Sequence, residues 1–128
     1  MQIPSNWTFE DIEVAKNFNR HVREQLPFYD LATNAITHIA RHYIPENGLV
    51  YDIGASTGNI GKSITEILKD RNAKLIALEK STEMVKKYDC KIGELINIDA
   101  VKYNFKPHNL AIFYLVLMFV SVDKRIEL

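Results

Sequence analysis

The sequence has little of anything that would commit it to an unusual class of protein. A single cysteine, Cys90, excludes an intramolecular disulfide. Sixteen basic and sixteen acidic side chains cancel, so the chain as a whole has no electrostatic pull toward nucleic acid or an anionic membrane. Its start, MQIPSNWTFEDIEV, carries neither the basic cluster nor the apolar run of a secretion signal. The longest apolar stretch, 110–120, falls well short of the roughly 20 residues needed to cross a bilayer. Repeats, low-complexity tracts and linkers are also missing. What remains is 128 residues that are 47% hydrophobic and 25% charged, the composition of one globular domain expected in the cytoplasm.

The pattern of apolar residues changes once along the chain. Phe9, Ile12, Ala15, Phe18 and Val22 recur at helical spacing, with Thr8 and Asp11 as a capping pair. After Pro27 the helical rhythm resumes through Ala32, Ala35, Ile36, Ile39 and Tyr43 and stops at Pro45 and Gly48. From Leu49 onward, short apolar runs alternate with helical stretches: LVYDI, NIGKSITEILKD, KLIAL, TEMVKKY, GELINI and LAIFYLVLM. Such alternation predicts βαβ units and a mainly parallel α/β sheet. The expected organisation is a helical lid over 1–48 and a cofactor-binding core over 49–128, together one compact unit.

Chemistry is concentrated in 50–63, VYDIGASTGNIGKS. Gly54 stands where the chain leaves a parallel strand, which allows a tight turn and close approach of a ligand to backbone. A phosphate-binding P-loop ending at Gly61, Lys62 and Ser63 requires its first glycine where Ser56 stands, and the helical spacing of Ile60, Ile64, Ile67 and Leu68 puts Lys62 inside a helix. A dinucleotide fingerprint requires Gly-x-Gly-x-x-Gly, whereas the glycines here fall at 54, 58 and 61. The third reading has acids on three strands. Asp52 precedes the turn, Glu79 closes the second strand and Asp99 closes the third, all directed at the crevice beyond the carboxyl ends of the sheet.

This DIGASTG turn, with an acid before its first glycine, resembles the cofactor turn of class I S-adenosylmethionine-dependent methyltransferases. FYDLATNAI, VYDIGASTGNIG, LIALEKSTEMV, NIDAVKYNF and LAIFYLVLMFVS, in this order, resemble most closely the carboxy-S-adenosylmethionine synthase branch, which acts in tRNA modification. The resemblance covers nearly the whole chain and implies a Rossmann-like α/β sheet in the strand order 3-2-1-4. It implies S-adenosylmethionine or S-adenosylhomocysteine as ligand, with Tyr29 against it from the lid. Gly54, Ala55 and Ser56 would line its amino-acid moiety, Glu79 and Lys80 its ribose, and Asp99 and Ala100 its adenine. Asp52 would hold the turn or meet the methionine ammonium through water. Tyr114 stands where the family's fourth strand carries a polar residue.

The resemblance ends after the fourth strand: the later strands of the full fold, and the Arg that the synthases supply from them, have no counterpart here. The run 110–118 is apolar on both faces, as central parallel strands are, and a bare outer edge there would expose unpaired amides and carbonyls. The expectation is therefore that 110–118 pairs with a second copy or a partner protein, unless the sequence is a piece of a longer chain. Methyl transfer would rest on positioning, since no His, Cys or carboxylate pair stands out as a base; the competing expectation is a non-catalytic cofactor binder acting through its partner. His38 and His42, four apart, suit a solvent-facing pair better than a zinc site. Lys86, Lys87 and Lys91 are expected to form a wet helix face, and any affinity of this cluster for RNA would fall steeply with salt.

Overall fold

The computed structural model describes residues 8–128; the first seven positions of the expected lid lie outside the described residues. Helices α1 (Ile12–Gln25) and α2 (Tyr29–Tyr43) precede the alternating strands and helices β1 (Leu49–Ile53), α3 (Asn59–Asp70), β2 (Lys74–Glu79), α4 (Thr82–Lys86), β3 (Glu94–Asn97) and β4 (Leu110–Phe113). All strand pairs are parallel and the sheet order is β3-β2-β1-β4, as the sequence predicts. Tyr51 registers with Ile76 on one side and Ala111 on the other, so β1, like β2, is an interior strand. No helix among the described residues is long and apolar enough to cross a membrane.

The period-2 alternation of β1 sorts its side chains onto two faces. Val50 faces a core made with Ala40, Ile44, Ile64, Leu68 and Leu75, under α2 and α3. Tyr51 and Ile53 face the opposite layer with Ile76 and Leu78, covered by Tyr103 and Phe105 from the segment after β3. Each fully buried Leu or Ile in these layers stabilises the fold by about 1.5–3 kcal/mol.

Four local expectations are corrected. Helix α1 begins at Ile12, and Asp11 is its cap, accepting from the amides of Glu13 at 2.7 Å and Val14 at 3.3 Å; Thr8 instead accepts from the Glu10 amide. In the same helix Ile12, one of the apolar residues at helical spacing, is 60% exposed. Helix α2 buries Tyr29, Thr33 and Ala40, leaving Ile39 at 56% and Tyr43 at 61% exposure, because the small residues Thr33 and Ala40 admit the neighbouring elements where bulkier ones would hold them off. The third strand ends at Asn97, so Asp99 lies two residues past it and caps a 3-10 turn, Ala100–Lys102.

The fourth correction bears on function. The apolar run 110–118 is a strand only to Phe113, and of its four residues only Ile112 is buried. Leu115 takes a left-handed φ of +55°, and the chain folds into a second 3-10 turn, Leu117–Phe119. A continuous apolar run reads alike whether it lies flat in a sheet or bends over a cleft, and here it does both.

Candidate functional site

The turn after β1 owes its shape to backbone that few side chains tolerate. Gly54 has φ +71° and donates its amide to the Leu78 carbonyl, while Ser56 is left-handed at φ +53°. A Cβ on Gly54 would lie 2.3 Å from Val116 Cγ2, so the glycine admits the roof segment, not only a ligand. Gly58, at φ +89°, starts α3 with Tyr88 and Cys90 against it. Lys62 lies in α3 beside Asp89 at 3.8 Å, away from the mouth of the turn.

Glu79 braces this turn. Its carboxylate accepts from the Ser56 amide at 2.7 Å and the Ser81 amide at 2.8 Å. Burial raises its pKa, and those two amides oppose the rise. Lys80 reaches Asp99 at 3.4 Å, and Asp99 also accepts from the Val101 amide. Gly54, Ser56, Glu79, Lys80, Asp99 and Ala100 line one cavity of about 670 Å³ beyond the carboxyl ends of β1, β2 and β3, with Leu115, Val116 and Phe119 along its side.

A second chamber of about 390 Å³ opens on the other side of the turn, beneath α1. Tyr29, Asp52, Gly54, Ala55, Ser56 and Tyr114 line it, so the ten residues singled out in the sequence all face one or both cavities. Gly54, Ser56, Leu115, Phe9 and Phe119 border both, making the two halves of one crevice. Tyr29 and Tyr114 stack with ring centroids 5.4 Å apart, and Tyr114 Oη donates to the Tyr29 carbonyl at 3.3 Å.

Asp52 is 1% exposed, and its Oδ2 has no hydrogen-bond partner among the described residues. Burial, with the Glu79 charge adding to it, pushes its carboxyl up to about 7. A buried carboxylate without a donor is costly, so this oxygen is poised for a cation or a proton.

Several residues of the crevice carry no motif and are not evident in the sequence. Asn19 Oδ1 on α1 accepts from Thr57 Oγ1 at 2.9 Å and Asn59 Nδ2 at 2.8 Å, and Asn59 Nδ2 also donates to Tyr29 Oη at 3.1 Å. Ser81 Oγ donates to the Phe9 carbonyl. These bonds fasten α1, Tyr29 and Phe9 to the turn and to the start of α4 across 30 to 72 residues of sequence. Such pairings leave no local pattern; the one available signal was a polar Asn19 next to the apolar stripe of α1. His21, on the same helix, lines the second chamber with its Nδ1 buried and unpartnered among the described residues. His38 and His42 meet edge to face, centroids 5.5 Å apart, on α2. No group of three His, Cys, Asp or Glu among the described residues is placed to hold a metal.

No protein-family profile matches the sequence. A carboxy-S-adenosyl-L-methionine synthase of Staphylococcus epidermidis is 33% identical over 126 residues, which are 95% of this chain and 55% of that protein. The chain spans about half the length of the curated relatives it matches. Among solved structures, a candidate S-adenosyl-L-methionine-dependent methyltransferase of Methanococcus maripaludis superposes with a TM-score of 0.67 at 14% identity, over 98% of this chain and 60% of that one. The plantazolicin methyltransferase BpumL, solved with S-adenosylhomocysteine, superposes with a TM-score of 0.60 at 20% identity, over 80% of this chain and 42% of that one. The chain therefore has the Rossmann-like fold of these methyltransferases and is similar in sequence, along nearly its whole length, to the carboxy-S-adenosyl-L-methionine synthases.

Proposed function

We propose that the crevice binds S-adenosyl-L-methionine, or its product S-adenosyl-L-homocysteine, and that the chain serves methyl transfer to an acceptor. The observation that carries this reading is the row of acids along one continuous cleft: Asp52 in the chamber under α1, Glu79 at the end of β2 and Asp99 just beyond β3. In this reading the adenosine occupies the larger cavity, with Glu79 toward the ribose and Asp99 toward the adenine. Lys80 and Ala100 flank them. The methionine end passes Gly54, Ala55 and Ser56 into the chamber, where the unpartnered Asp52 Oδ2 suits its ammonium and Tyr29 and Tyr114 form an aromatic wall.

When bound, this ligand supplies a methyl group already activated on a sulfonium. The protein's own task is to hold donor and acceptor at reacting distance and to keep water out. The lid clamp of Asn19 with Thr57 and Asn59 supports that role, as does the roof formed by Leu115, Val116 and Phe119.

Calorimetry with both ligands tests the proposal: binding is expected, with S-adenosyl-L-homocysteine competing for the same site. Failure of both to bind overturns it. Incubation with methyl-labelled ligand and a cell extract then separates an enzyme from a binder, since label appearing in tRNA, protein or a metabolite requires transfer.

A second reading, association with another copy or a partner protein through β4, is favoured by the place of that strand. Among the described residues it pairs only with β1, and Leu117, Met118, Val122 and Ile126 after it are exposed. An added strand would satisfy its outer amides and carbonyls. Sedimentation at micromolar concentration should show a dimer; a lone monomer at that concentration argues against self-pairing.

A further inference from the structure

We propose that the segment after β4 is a gate: in the free protein Val116 occupies the place beside Gly54 that the ligand must take, and the crevice fills only when this segment swings outward about Leu115. The inference rests on the reading of the crevice as an S-adenosyl-L-methionine site and adds how that site opens.

Gly54 is where the two cavities meet, since it borders both. A glycine in such a turn serves a ligand by leaving its side-chain position empty. Here that position is filled: a Cβ on Gly54 would lie 2.3 Å from Val116 Cγ2 and 3.0 Å from Val116 Cβ. The valine therefore stands against the backbone that the methionine end has to pass. Leu115 and Phe119, on either side of it in the chain, border both cavities, so the segment runs along their junction.

The bend that delivers Val116 is built on unfavourable backbone. Leu115 has φ +55°, and the other left-handed residues that are not glycine, Asn47, Ser56 and Asn72, all have short polar side chains. A bulky residue in this region is an outlier that persists only where surrounding contacts hold it. The holding contacts lie at the two ends of the segment. Tyr114 stacks on Tyr29 and its Oη donates to the Tyr29 carbonyl, while the Phe119 ring meets Phe9 edge to face at 4.9 Å. Between these anchors runs a single 3-10 turn, closed by the Phe119 amide on the Val116 carbonyl at 3.0 Å and the Val120 amide on the Leu117 carbonyl at 3.1 Å. Leu117 and Met118 on this turn are exposed, so no further layer among the described residues covers it. A short turn with an open outer side and a strained hinge swings as a unit when the hinge residue returns to ordinary backbone.

Two opposing contributions set the balance. Packing of Val116 on Gly54 favours the closed segment, and the left-handed Leu115 favours the open one. Apparent affinity scales with the open fraction, and the association rate scales with it too when the gate moves faster than ligand arrives. Dissociation starts from a cleft whose gate is already displaced, so it is indifferent to that fraction.

Surface plasmon resonance with S-adenosyl-L-homocysteine over the immobilised protein tests the gate by resolving the two rates. Val116→Ala is expected to raise the association rate about fourfold, the scale of one buried methylene lost from the closed state, and to leave the dissociation rate within about twofold. Leu115→Asn is expected to lower the association rate about threefold, because asparagine accepts left-handed backbone more readily and so favours the closed segment. Leu115 is exposed, so this second variant serves if the alanine variant unfolds. A side chain that merely touches the ligand would show itself in dissociation, and two variants that move one rate in opposite directions exclude that role. An unchanged association rate in either folded variant, or changes confined to dissociation, overturns the gate alone. Failure of S-adenosyl-L-homocysteine to bind the parent protein overturns the underlying reading and the gate with it.

Discussion

The Ser56 amide donates to Glu79 Oε2 at 2.7 Å, joining the turn after β1 to the carboxyl end of β2. The other carboxylate oxygen accepts from the Ser81 amide, so one side chain spans the start of α4 and the floor of the cleft. Glu79 is thus a structural brace before any ligand arrives. Glu79→Ala is expected to lower unfolding free energy by about 2 kcal/mol, since each hydrogen bond to a charged group contributes about 1.5–3 kcal/mol and water replaces part of it. Urea denaturation checks the loss. In the proposed reading the same variant also weakens S-adenosyl-L-homocysteine; stability that falls with ligand affinity unchanged would place the ribose elsewhere.

Gly54 should resist even the smallest side chain. Gly54→Ala meets Val116 at 2.3 Å and takes up a left-handed φ that costs an L-residue about 1–2 kcal/mol. The double variant Gly54→Ala with Val116→Ala relieves the overlap and leaves the backbone term, so it should recover part of the loss in urea midpoint. Identical midpoints for single and double variants would show that the roof does not press on the turn.

Asp52 sets a pH dependence. Its folded pKa, about 7, lies above its ordinary value of 3.8, so between those limits the folded state keeps a proton that the unfolded state has released. Stability therefore declines as pH rises through that window, by up to about 1.4 kcal/mol per pH unit, and levels off above it. Glu79, also shifted upward by burial, adds to the decline in the same direction. Thermal unfolding from pH 4 to 8 measures the slope, which Asp52→Asn should reduce. A bound ammonium favours the ionised carboxyl, so affinity for S-adenosyl-L-homocysteine should rise with pH up to about 7 in the parent and be flatter in Asp52→Asn.

Two bonds between α1 and the residues around the turn share one acceptor, Asn19 Oδ1. Asn19→Ala leaves Thr57 Oγ1 and the Asn59 amide without their shared partner, a loss of about 1–2 kcal/mol across two neutral bonds. Hydrogen exchange should rise along α1 and remain slow in β1 and β2. Uniform acceleration across the whole chain would show that α1 is part of the global unfolding unit and not a separable lid.

Much of this architecture is written locally. LVYDI reads as a strand because its apolar residues come unbroken before a glycine turn, and Ile60, Ile64, Ile67 and Leu68 read as a helix because they return every three or four residues; both fall where expected. The parallel pairing follows because strands joined by helices need crossover connections, whereas the sheet order was implied by the family resemblance. That Gly54, Glu79 and Asp99 border one crevice was legible because the carboxyl ends of such strands converge there, whereas Tyr29, Ala55, Ser56, Lys80, Ala100 and Tyr114 were singled out by the family resemblance.

Other features were not legible, and the reasons are physical. The face that α2 buries was legible only in part: Ala32 and Ile36 are half-buried and Ile36 packs against the core, whereas Ala35, Ile39 and Tyr43 of the same apolar pattern are exposed, and packing against neighbouring elements selects Tyr29, Thr33 and Ala40. The bend at Leu115 was hidden within an apolar run whose composition suits a strand and a roof equally.

The sequence by itself determined the parallel sheet, the glycine turn and the acids at the strand ends, because periodicity and backbone freedom are properties of neighbouring residues. The tertiary structure alone decided that Glu79 would hold the turn, that Asn19 would fasten the lid, and that Asp52 and His21 would share a chamber. Those relationships join residues 23 to 40 positions apart, and only the folded chain brings them within reach of a hydrogen bond or a common cavity.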